Sequence, residues 1–330
     1  MKKCLACYLP LSKDEVDFHP ACSKRLFGQS IPPIIPYSEE QMGELAIQVI
    51  KSQITVTGVQ PKLSLEIAKG SNKQEPGRFT IVGLWGGYIL KPPSLNYPQL
   101  PEVEDLTMHL AGIAKINVVP HSLIRLKSGN LAYITKRIDR TKQRKLAMED
   151  MCQLTERLTE EKYQGSCEQV AKAVLKYSVN PVLDVVNFFE QVLFSFLTGN
   201  ADMHLKNFSL INQPGIGYIL SPAYDLVATK LVNPADDEEM ALTLNGKKKK
   251  LRRSDFTAAF NTLKLDPKQQ ENIFSKMGKA KENWIDFIDG SFLSDDFKVA
   301  YKELIMERFS SFQPKLKIKS ITTGQNHRQM

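Results

Sequence analysis

Between Val182 and Leu197 the chain reads Val-Leu-Asp-Val-Val-Asn-Phe-Phe-Glu-Gln-Val-Leu-Phe-Ser-Phe-Leu, its most apolar stretch. A helix with that much hydrocarbon has to be buried, since each large apolar side chain gains about 1.5–3 kcal/mol on leaving water. Yet it runs directly into Thr198-Gly-Asn-Ala-Asp202-Met-His204-Leu-Lys206-Asn207-Phe208, followed by a strand-like segment, Asn207–Ile211. Ionisable and amide groups pinned between two buried elements are costly unless they find partners. Loops held this way on a rigid frame are where binding and catalytic groups concentrate.

Asp202 and Asn207 stand five residues apart, the separation at which a kinase catalytic loop places its base and its metal-binding amide. After Asn207 and a second strand-like piece, Tyr218–Leu220, comes Ser221-Pro-Ala-Tyr224-Asp225-Leu226. An amide oxygen and a carboxylate are hard ligands, suited to Mg²⁺ carrying ATP phosphates. Turn-capping also uses Asp and Asn, but the order and spacing here favour a site.

Composition fits an ordinary globular chain: 330 residues, 42% hydrophobic and 24% charged. That length suggests two domains and argues against a disordered or fibrous chain. No apolar run reaches the ~18 residues of a membrane span. Met1-Lys-Lys-Cys4 lacks the apolar run of a secretory signal, so a cytoplasmic location is the expectation. The 44 basic and 36 acidic residues give a net charge of +8. Six positive charges lie in Lys247–Lys250, Arg252 and Arg253, and four (Lys315, Lys317, Lys319, Arg328) in a tail without acids; the rest carries −2. The basic character is local, which weakens the case for a fold devoted to nucleic acid.

Three parts are expected: a small Cys/His module over 1–30, a β-rich unit over 31–145 and a helical unit over 146–330. Ser30-Ile-Pro-Pro-Ile-Ile-Pro36 reads as an extended connector. Short strands are predicted at Ile54–Thr57, Lys62–Ile67, Arg78–Val82, Tyr88–Lys91 and Leu131–Lys136, interrupted by a helix over Glu102–Lys115. Further helices are predicted over Glu149–Leu158, Cys167–Tyr177, Val182–Leu197, Ser254–Leu263, Pro267–Ala280 and Asp296–Phe312. Ser254 is the expected cap of the fourth and Pro267 suits a first turn. Asn245-Gly246 after Ala241–Leu244 is a hairpin signal. A small β-rich half joined to a helical half is an α+β arrangement with a cleft between them.

Cys4-x2-Cys7-x11-His19-x2-Cys22 pairs two short spacings of thiols and an imidazole, as a tetrahedral zinc site does. Four protein ligands would make the site structural; the plainer reading is three buried small residues and an exposed histidine. Five cysteines in a cytoplasmic chain do not suggest a disulfide framework. Thr55-Val-Thr57-Gly58-Val59-Gln60-Pro-Lys62 is a glycine turn between strands, able to offer N–H groups to phosphates or to serve as a plain turn. Lys91 ends a strand where a phosphate could meet it, with Glu104 on the nearby helix to orient it, although most strand lysines face solvent. His109, His121 and His327 show no acidic or cysteine constellation and read as structural.

Thr-Gly-Val-Gln-Pro-Lys-Leu-Ser-Leu (57–65), Tyr-Ile-Leu-Lys91, Ile-Thr-Lys-Arg-Ile-Asp-Arg (134–140), Glu-Asp-Met-Cys-Gln (149–153), Gly-Asn-Ala-Asp-Met-His-Leu-Lys-Asn-Phe (199–208) and Ser-Pro-Ala-Tyr-Asp-Leu (221–226) occur in one order. Together they resemble the HipA-like serine/threonine kinases, the toxins of bacterial toxin–antitoxin operons. The resemblance implies a protein-kinase-like bilobal α+β fold that binds ATP and Mg²⁺. It implies Asp202 as catalytic base, Asn207 and Asp225 as Mg²⁺ ligands, and Lys91 on the phosphates, paired with Glu104. Residues 57–62, with Thr57, Gly58, Val59, Gln60 and Lys62, would cover the phosphates. Lys136, Arg137 and Ile138 would face adenine through backbone groups. His204 and Lys206 would support the loop or the phosphates, and Tyr224 would lie beside the nucleotide.

The same resemblance implies a protein target, an aminoacyl-tRNA synthetase among the candidates. It also implies an HTH antitoxin of HipB type, DNA contacted only through that antitoxin, and no membrane. Longer members carry an extra N-terminal subdomain; here the Cys/His module stands instead, as in the short HipT-like branch, where a small HipS-like protein supplies the missing part. The family autophosphorylates a serine in the phosphate loop to switch itself off. Here Thr55 and Thr57 supply the hydroxyls, and threonine is a different acceptor. The basic stretch Lys247–Arg253 reads first as a solvated hairpin and otherwise as an attractor of nucleic acid. The rival readings are a pseudokinase or small-molecule kinase, and a DNA-associated co-repressor built on zinc and basic segments.

Overall fold

The computed structural model describes residues 2–51, 62–68, 75–82, 85–141 and 144–312. The predicted strand Ile54–Thr57, the turn residues Thr55, Thr57, Gly58, Val59 and Gln60, and the basic tail after Pro314 lie outside the described residues.

The chain begins with a compact knuckle. Backbone bonds from Cys4 to Leu9 and from Tyr8 to Cys4 turn residues 4–9 back on themselves, and helix α1 (Pro20–Phe27) follows with proline in its first turn. Gly28 ends it at φ 77°, a left-handed position natural to glycine. Helix α2 (Glu39–Lys51) leads to a five-stranded antiparallel sheet. Its strands are β1 (Leu63–Ala68), β2 (Arg78–Ile81) and β3 (Tyr88–Lys91), then, after helix α3 (Leu100–Ile113), β4 (His121–Arg125) and β5 (Leu131–Lys136). Their order is β2-β1-β3-β5-β4. Alternation sets the faces: Leu63 and Leu65 of β1 are buried, whereas Glu66 is exposed. Helix α3 covers the sheet with Val103, Leu106 and Leu110, at the three- and four-residue steps of its apolar residues, whereas Ile113, the next in that series, is only partly buried.

The second half opens with β6 (Met148–Asp150) and the single turn α4 (Met151–Leu154). The predicted helix Glu149–Leu158 is therefore mostly absent. Met148–Asp150 pairs with a later strand, Asp150 caps the short turn by accepting from Gln153 N, and Glu156 is left-handed at φ 56°. Helices α5 (Cys167–Tyr177) and α6 (Pro181–Leu197) follow. Next come β7 (Ser209–Gln213) and β8 (Gly217–Leu220), which complete a three-stranded antiparallel sheet with β6. The chain ends in α7 (Thr229–Val232), α8 (Arg253–Thr262), α9 (Pro267–Asp289) and α10 (Asp295–Ser311). Helix α8 starts one residue before Ser254, and its N-cap is Arg252. Helix α9 runs past Ala280 because Trp284 and Ile288 continue its buried stripe. Asn245 and Gly246 form the expected tight turn, with φ 49° and 73° and paired Leu244–Lys247 bonds, but this is an isolated bridge without flanking strands.

Helix α6 is the axis of the helical half. Phe188 packs on Phe208, Phe189 on Phe260, Phe194 on Trp284 and Phe196 on Phe256, all edge-on at 4.9–5.6 Å. Trp284 of α9 donates to the Leu110 carbonyl of α3 at 2.8 Å, so the two halves share a buried seam. Among the described residues, no helix is long and apolar enough to cross a membrane.

Candidate active site

Lys91 is the last residue of β3 and is almost fully buried. Its ammonium donates to Glu104 Oε1 at 2.5 Å and to Asp225 Oδ1 at 2.8 Å. Asp225 Oδ2 accepts from Lys62 at 2.7 Å, extending the ladder to Glu104–Lys91–Asp225–Lys62. Burial opposes charge on all three inner groups, and the outcome differs with the partners. Burial pushes Lys91 down, but Asp225 and Glu104 together hold it above its usual value. Burial pushes Asp225 up, but Lys62 and Lys91 override it and keep the carboxylate ionised. For Glu104 burial wins over Lys91 and the carboxyl is pushed up to about 7; its Oε2 has no hydrogen-bond partner among the described residues. Asp225 sits at φ 54°, a strained position for a non-glycine residue that presents its carboxylate to both lysines.

The loop after α6 carries the second group of predicted residues. Thr198 Oγ1 closes the helix on Phe194 O at 2.9 Å, and Gly199 follows at φ 71°. A Cβ there would meet the end of the Leu304 side chain, which can give way, so it is the left-handed backbone that favours glycine. Asn200 Oδ1 accepts from Asp202 N at 3.1 Å, and Ala201 N donates to Thr229 Oγ1 at 2.8 Å. Asn207 Nδ2 donates to Asp202 O at 2.9 Å, which leaves the amide oxygen for another partner. Asp202 and Asn207 are thus tied into one turn, as their spacing predicted. His204 is buried, its imidazole pushed below its usual value by burial although Asp202 works against this. Asp225 also works against the lowering of the same imidazole.

Lys206 reaches back to Asp150 Oδ2 at 2.8 Å, so it braces the loop, one of its two expected roles. Tyr224 spends its hydroxyl on Ser209 Oγ at 2.5 Å and on the Lys206 carbonyl at 3.0 Å, making it a strut behind the loop. At the expected hinge, Lys136 N already donates to Pro120 O and Arg137 N to Gly87 O, both at 2.9 Å. The sheet register consumes those two donors, so an adenine edge there would be read by Ile138 or by carbonyls. Arg137 and Arg140 both pair with Asp139.

Sequence reasoning missed Tyr163, whose hydroxyl donates to Asp202 Oδ1 at 2.7 Å while its ring lies 5.1 Å from His204. Burial and the Asp202 carboxylate both push its phenol pKa up, so the hydroxyl keeps its proton. It also missed a buried cluster: Asp105 accepts from His121 Nδ1 at 2.6 Å and from Tyr8 Oη at 2.8 Å, with His109 Nε2 at 3.4 Å. His109 and His121 therefore do have an acidic partner. The i,i+4 spacing of Asp105 and His109 was the available signal.

Cys4, Cys7, His19 and Cys22 bring four ligand atoms within 4.8 Å of one another. Cys7 Sγ lies 3.4 Å and Cys22 Sγ 3.9 Å from His19 Nδ1, and the other ring nitrogen is 3.0 Å from Pro10 O. The basic stretch is largely answered from within: Lys247 pairs with Asp255, Lys248 with Glu238, Lys249 with Asp237 and Arg253 with Glu271.

The family model of the HipA-like C-terminal domain matches residues 54–284. The chain belongs to the HipA-like C-terminal domain family. A putative kinase of Haemophilus influenzae is 30% identical over 210 residues, covering 59% of this chain and 58% of its own length. The serine/threonine-protein kinase toxin HipA of Shewanella oneidensis is 30% identical over 214 residues, covering 59% of this chain and 47% of its own. The chain thus spans roughly half the length of the curated relatives it matches. Among solved structures, HipA of the Shewanella oneidensis MR-1 toxin–antitoxin complex with HipB and operator DNA gives a TM-score of 0.65 at 22% identity, covering 82% of this chain and 70% of that one. The Helicobacter pylori proinflammatory kinase CtkA gives 0.52 at 15% identity, covering 76% and 93%. The fold is the kinase-like α+β fold of these proteins: a β-rich lobe carrying Lys91 and a helical lobe carrying Asp202.

Proposed function

We propose that this protein transfers the γ-phosphoryl group of ATP to a serine or threonine of a protein target, as the toxin of a toxin–antitoxin module. The observation that carries the reading is the linkage of two groups of residues, the Glu104–Lys91–Asp225–Lys62 ladder and the Asp202–Asn207 turn, through Tyr224, which precedes Asp225 and bonds the Lys206 carbonyl. Residues 31–145 would carry the nucleotide and residues 146–330 the catalytic loop.

Phosphoryl transfer asks little covalent work of a protein and much positioning. Asp202 would accept the proton of the acceptor hydroxyl at its carboxylate, with its backbone held by Asn200 and Asn207. Lys91, kept charged by two carboxylates, would hold phosphate oxygens as a fixed positive charge. Lys62 would exchange Asp225 for phosphate. Asn207 through its free amide oxygen and Asp225 through its ionised carboxylate fit Mg²⁺, a hard cation. When bound, that ion neutralises charge on the phosphates. A structural zinc ion at Cys4, Cys7, His19 and Cys22 belongs to the same reading and takes no part in transfer.

By likeness to the Shewanella protein, an HTH antitoxin of HipB type is the partner, with operator DNA reached through it; a HipS-like protein and an aminoacyl-tRNA synthetase target rest on the family resemblance alone. A cytoplasmic location follows from those partners. The internal pairing of Lys247, Lys248, Lys249 and Arg253 counts against a free nucleic-acid surface and so against the co-repressor alternative.

The test is a radiolabelled-ATP assay with cell lysate, wild type beside Asp202→Asn. Removing a general base costs about 10²–10⁴ in rate. A labelled protein band that falls by that factor, with ATP affinity unchanged in the variant, is the expected result. ATP turnover without a labelled protein would replace the protein-kinase reading with a small-molecule kinase. ATP binding without turnover would indicate a silenced kinase, and no ATP binding would overturn the reading.

A further inference from the structure

The Cys/His knuckle does more than fold on itself. On the β-rich side, Leu5 O accepts from Leu123 N of β4, and Asp17 accepts three bonds of 2.9–3.1 Å from Arg125. Leu26 O accepts from Tyr88 Oη at 3.1 Å, and Phe27 packs edge-on against Phe79. On the helical side, Lys3 Nζ donates to the carbonyls of Gly290 and Ser291 at 2.8 and 2.9 Å and lies over the Phe292 ring. Tyr8 joins the two sides. Its hydroxyl bonds Asp105 of α3, and its ring stacks on Phe287 at 5.2 Å and meets Phe292 edge-on at 4.8 Å.

Tyr8 directly follows Cys7, one of the four clustered ligand residues, and its N–H donates to the carbonyl of Cys4, another. The His19 nitrogen facing Pro10 O is oriented to donate there, which leaves Nδ1 as the ligand nitrogen toward Cys7 and Cys22. A segment of this size has too small a core to hold the Tyr8 turn by packing alone, so a four-ligand metal ion would set it.

We propose that zinc held by Cys4, Cys7, His19 and Cys22 turns the N-terminal knuckle into a strap across the seam between the two lobes. This rests on the zinc reading above. The ion would fix Tyr8, and Tyr8 with Lys3 would tie α3 and β4 to the 287–292 segment of the helical lobe. Loss of the ion would loosen both lobes at the strap, not only the knuckle.

The test uses the full chain. Metal analysis of protein purified without chelator is expected to give one zinc per chain. Hydrogen exchange is then followed with and without a strong chelator. Exchange in peptides covering 119–127 and 284–293 is expected to rise at least about tenfold on chelation, from the loss of an aromatic cluster and a charge-assisted hydrogen bond. Tyr8→Leu, which leaves all four ligands in place, is expected to retain zinc and reproduce the rise in both peptides. Absence of zinc overturns the metal site. Zinc present, with the exchange change confined to residues 2–28 or with Tyr8→Leu silent, overturns the strap while leaving the site standing.

Discussion

Replacing Lys91 with methionine isolates the central charge of the site. The change removes the one hydrogen-bond partner found for Glu104 among the described residues, while Asp225 keeps Lys62. Breaking a buried ion pair by deleting one member costs about 3–5 kcal/mol when the other must stay charged. Glu104 need not stay charged, because its carboxyl already titrates at about 7 with Lys91 present. Without the ammonium that titration moves higher. The folded chain then holds a proton that the unfolded chain, titrating at about 4.3, has released. Stability therefore falls as pH rises, by about 1.4 kcal/mol per unit, until the folded carboxyl ionises. Wild type and variant fall together from the unfolded value up to pH 7. Above that the wild type levels off and the variant continues down, losing about 2 kcal/mol more by pH 8.5. Urea unfolding at pH 6, 7 and 8.5 measures this directly. The double variant Lys91→Met/Glu104→Gln is expected to abolish the extra slope. Parallel curves above pH 7, or an undiminished slope in the double variant, would refute the account of Glu104 as the group whose burial prevails.

Two further substitutions probe the catalytic loop. Tyr163 donates to Asp202 Oδ1, so on the proposed reading it competes with an acceptor hydroxyl, and Tyr163→Phe is expected to lower the acceptor KM by about tenfold or more, the worth of one hydrogen bond to a charged group. Initial rates against acceptor concentration decide it; an unchanged KM with a reduced kcat would show that the phenol positions the base instead. Asp150 both caps α4 and anchors Lys206. Asp150→Ala is expected to cost about 0.5–2 kcal/mol for the cap alone, and Asp150→Asn, which can still cap, should recover that part in thermal unfolding. Equal losses in the two variants would place the whole effect on the Lys206 pair.

The Asp202–Asn207 turn was legible because its pattern is local. Asp202 and Asn207 lie within one loop, and the apolar run before it fixed α6. Strand β3 and helix α3 were equally plain from Tyr88–Lys91 and the 103–106–110 steps. Strand β4 was not, since His121, Ser122 and Arg125 dilute its apolar signal; its pairing with β5 places it. Helix α4 failed in the opposite sense, because the Glu149-Asp150 pair that looked helical is drawn into a strand by β7. Tyr163 could not be read at all, since it meets Asp202 across 39 positions, and of the Asp105 cluster only the Asp105–His109 spacing was local, for Tyr8 meets Asp105 across 97.

The partners of the basic stretch were equally out of reach, because net charge sums residues without regard to where their partners fall. Lys248 and Lys249 follow an acidic run, Asp236–Glu239, by ten and twelve positions, too far for a helical or hairpin rule to pair them. The fold pairs them by folding the 233–250 segment back on itself, with Glu239 N bonded to Lys248 O. Glu239 then takes Arg308 of α10 as well, so the acidic run is consumed between the basic stretch and the last helix. Exposed pairs of this kind are worth about 0–1 kcal/mol each, so their role is not stability. Their effect is to spend, within the chain, positive charge that a residue count leaves open. The inner ladder follows the same rule, with Lys91 and Lys62 both aimed at Asp225.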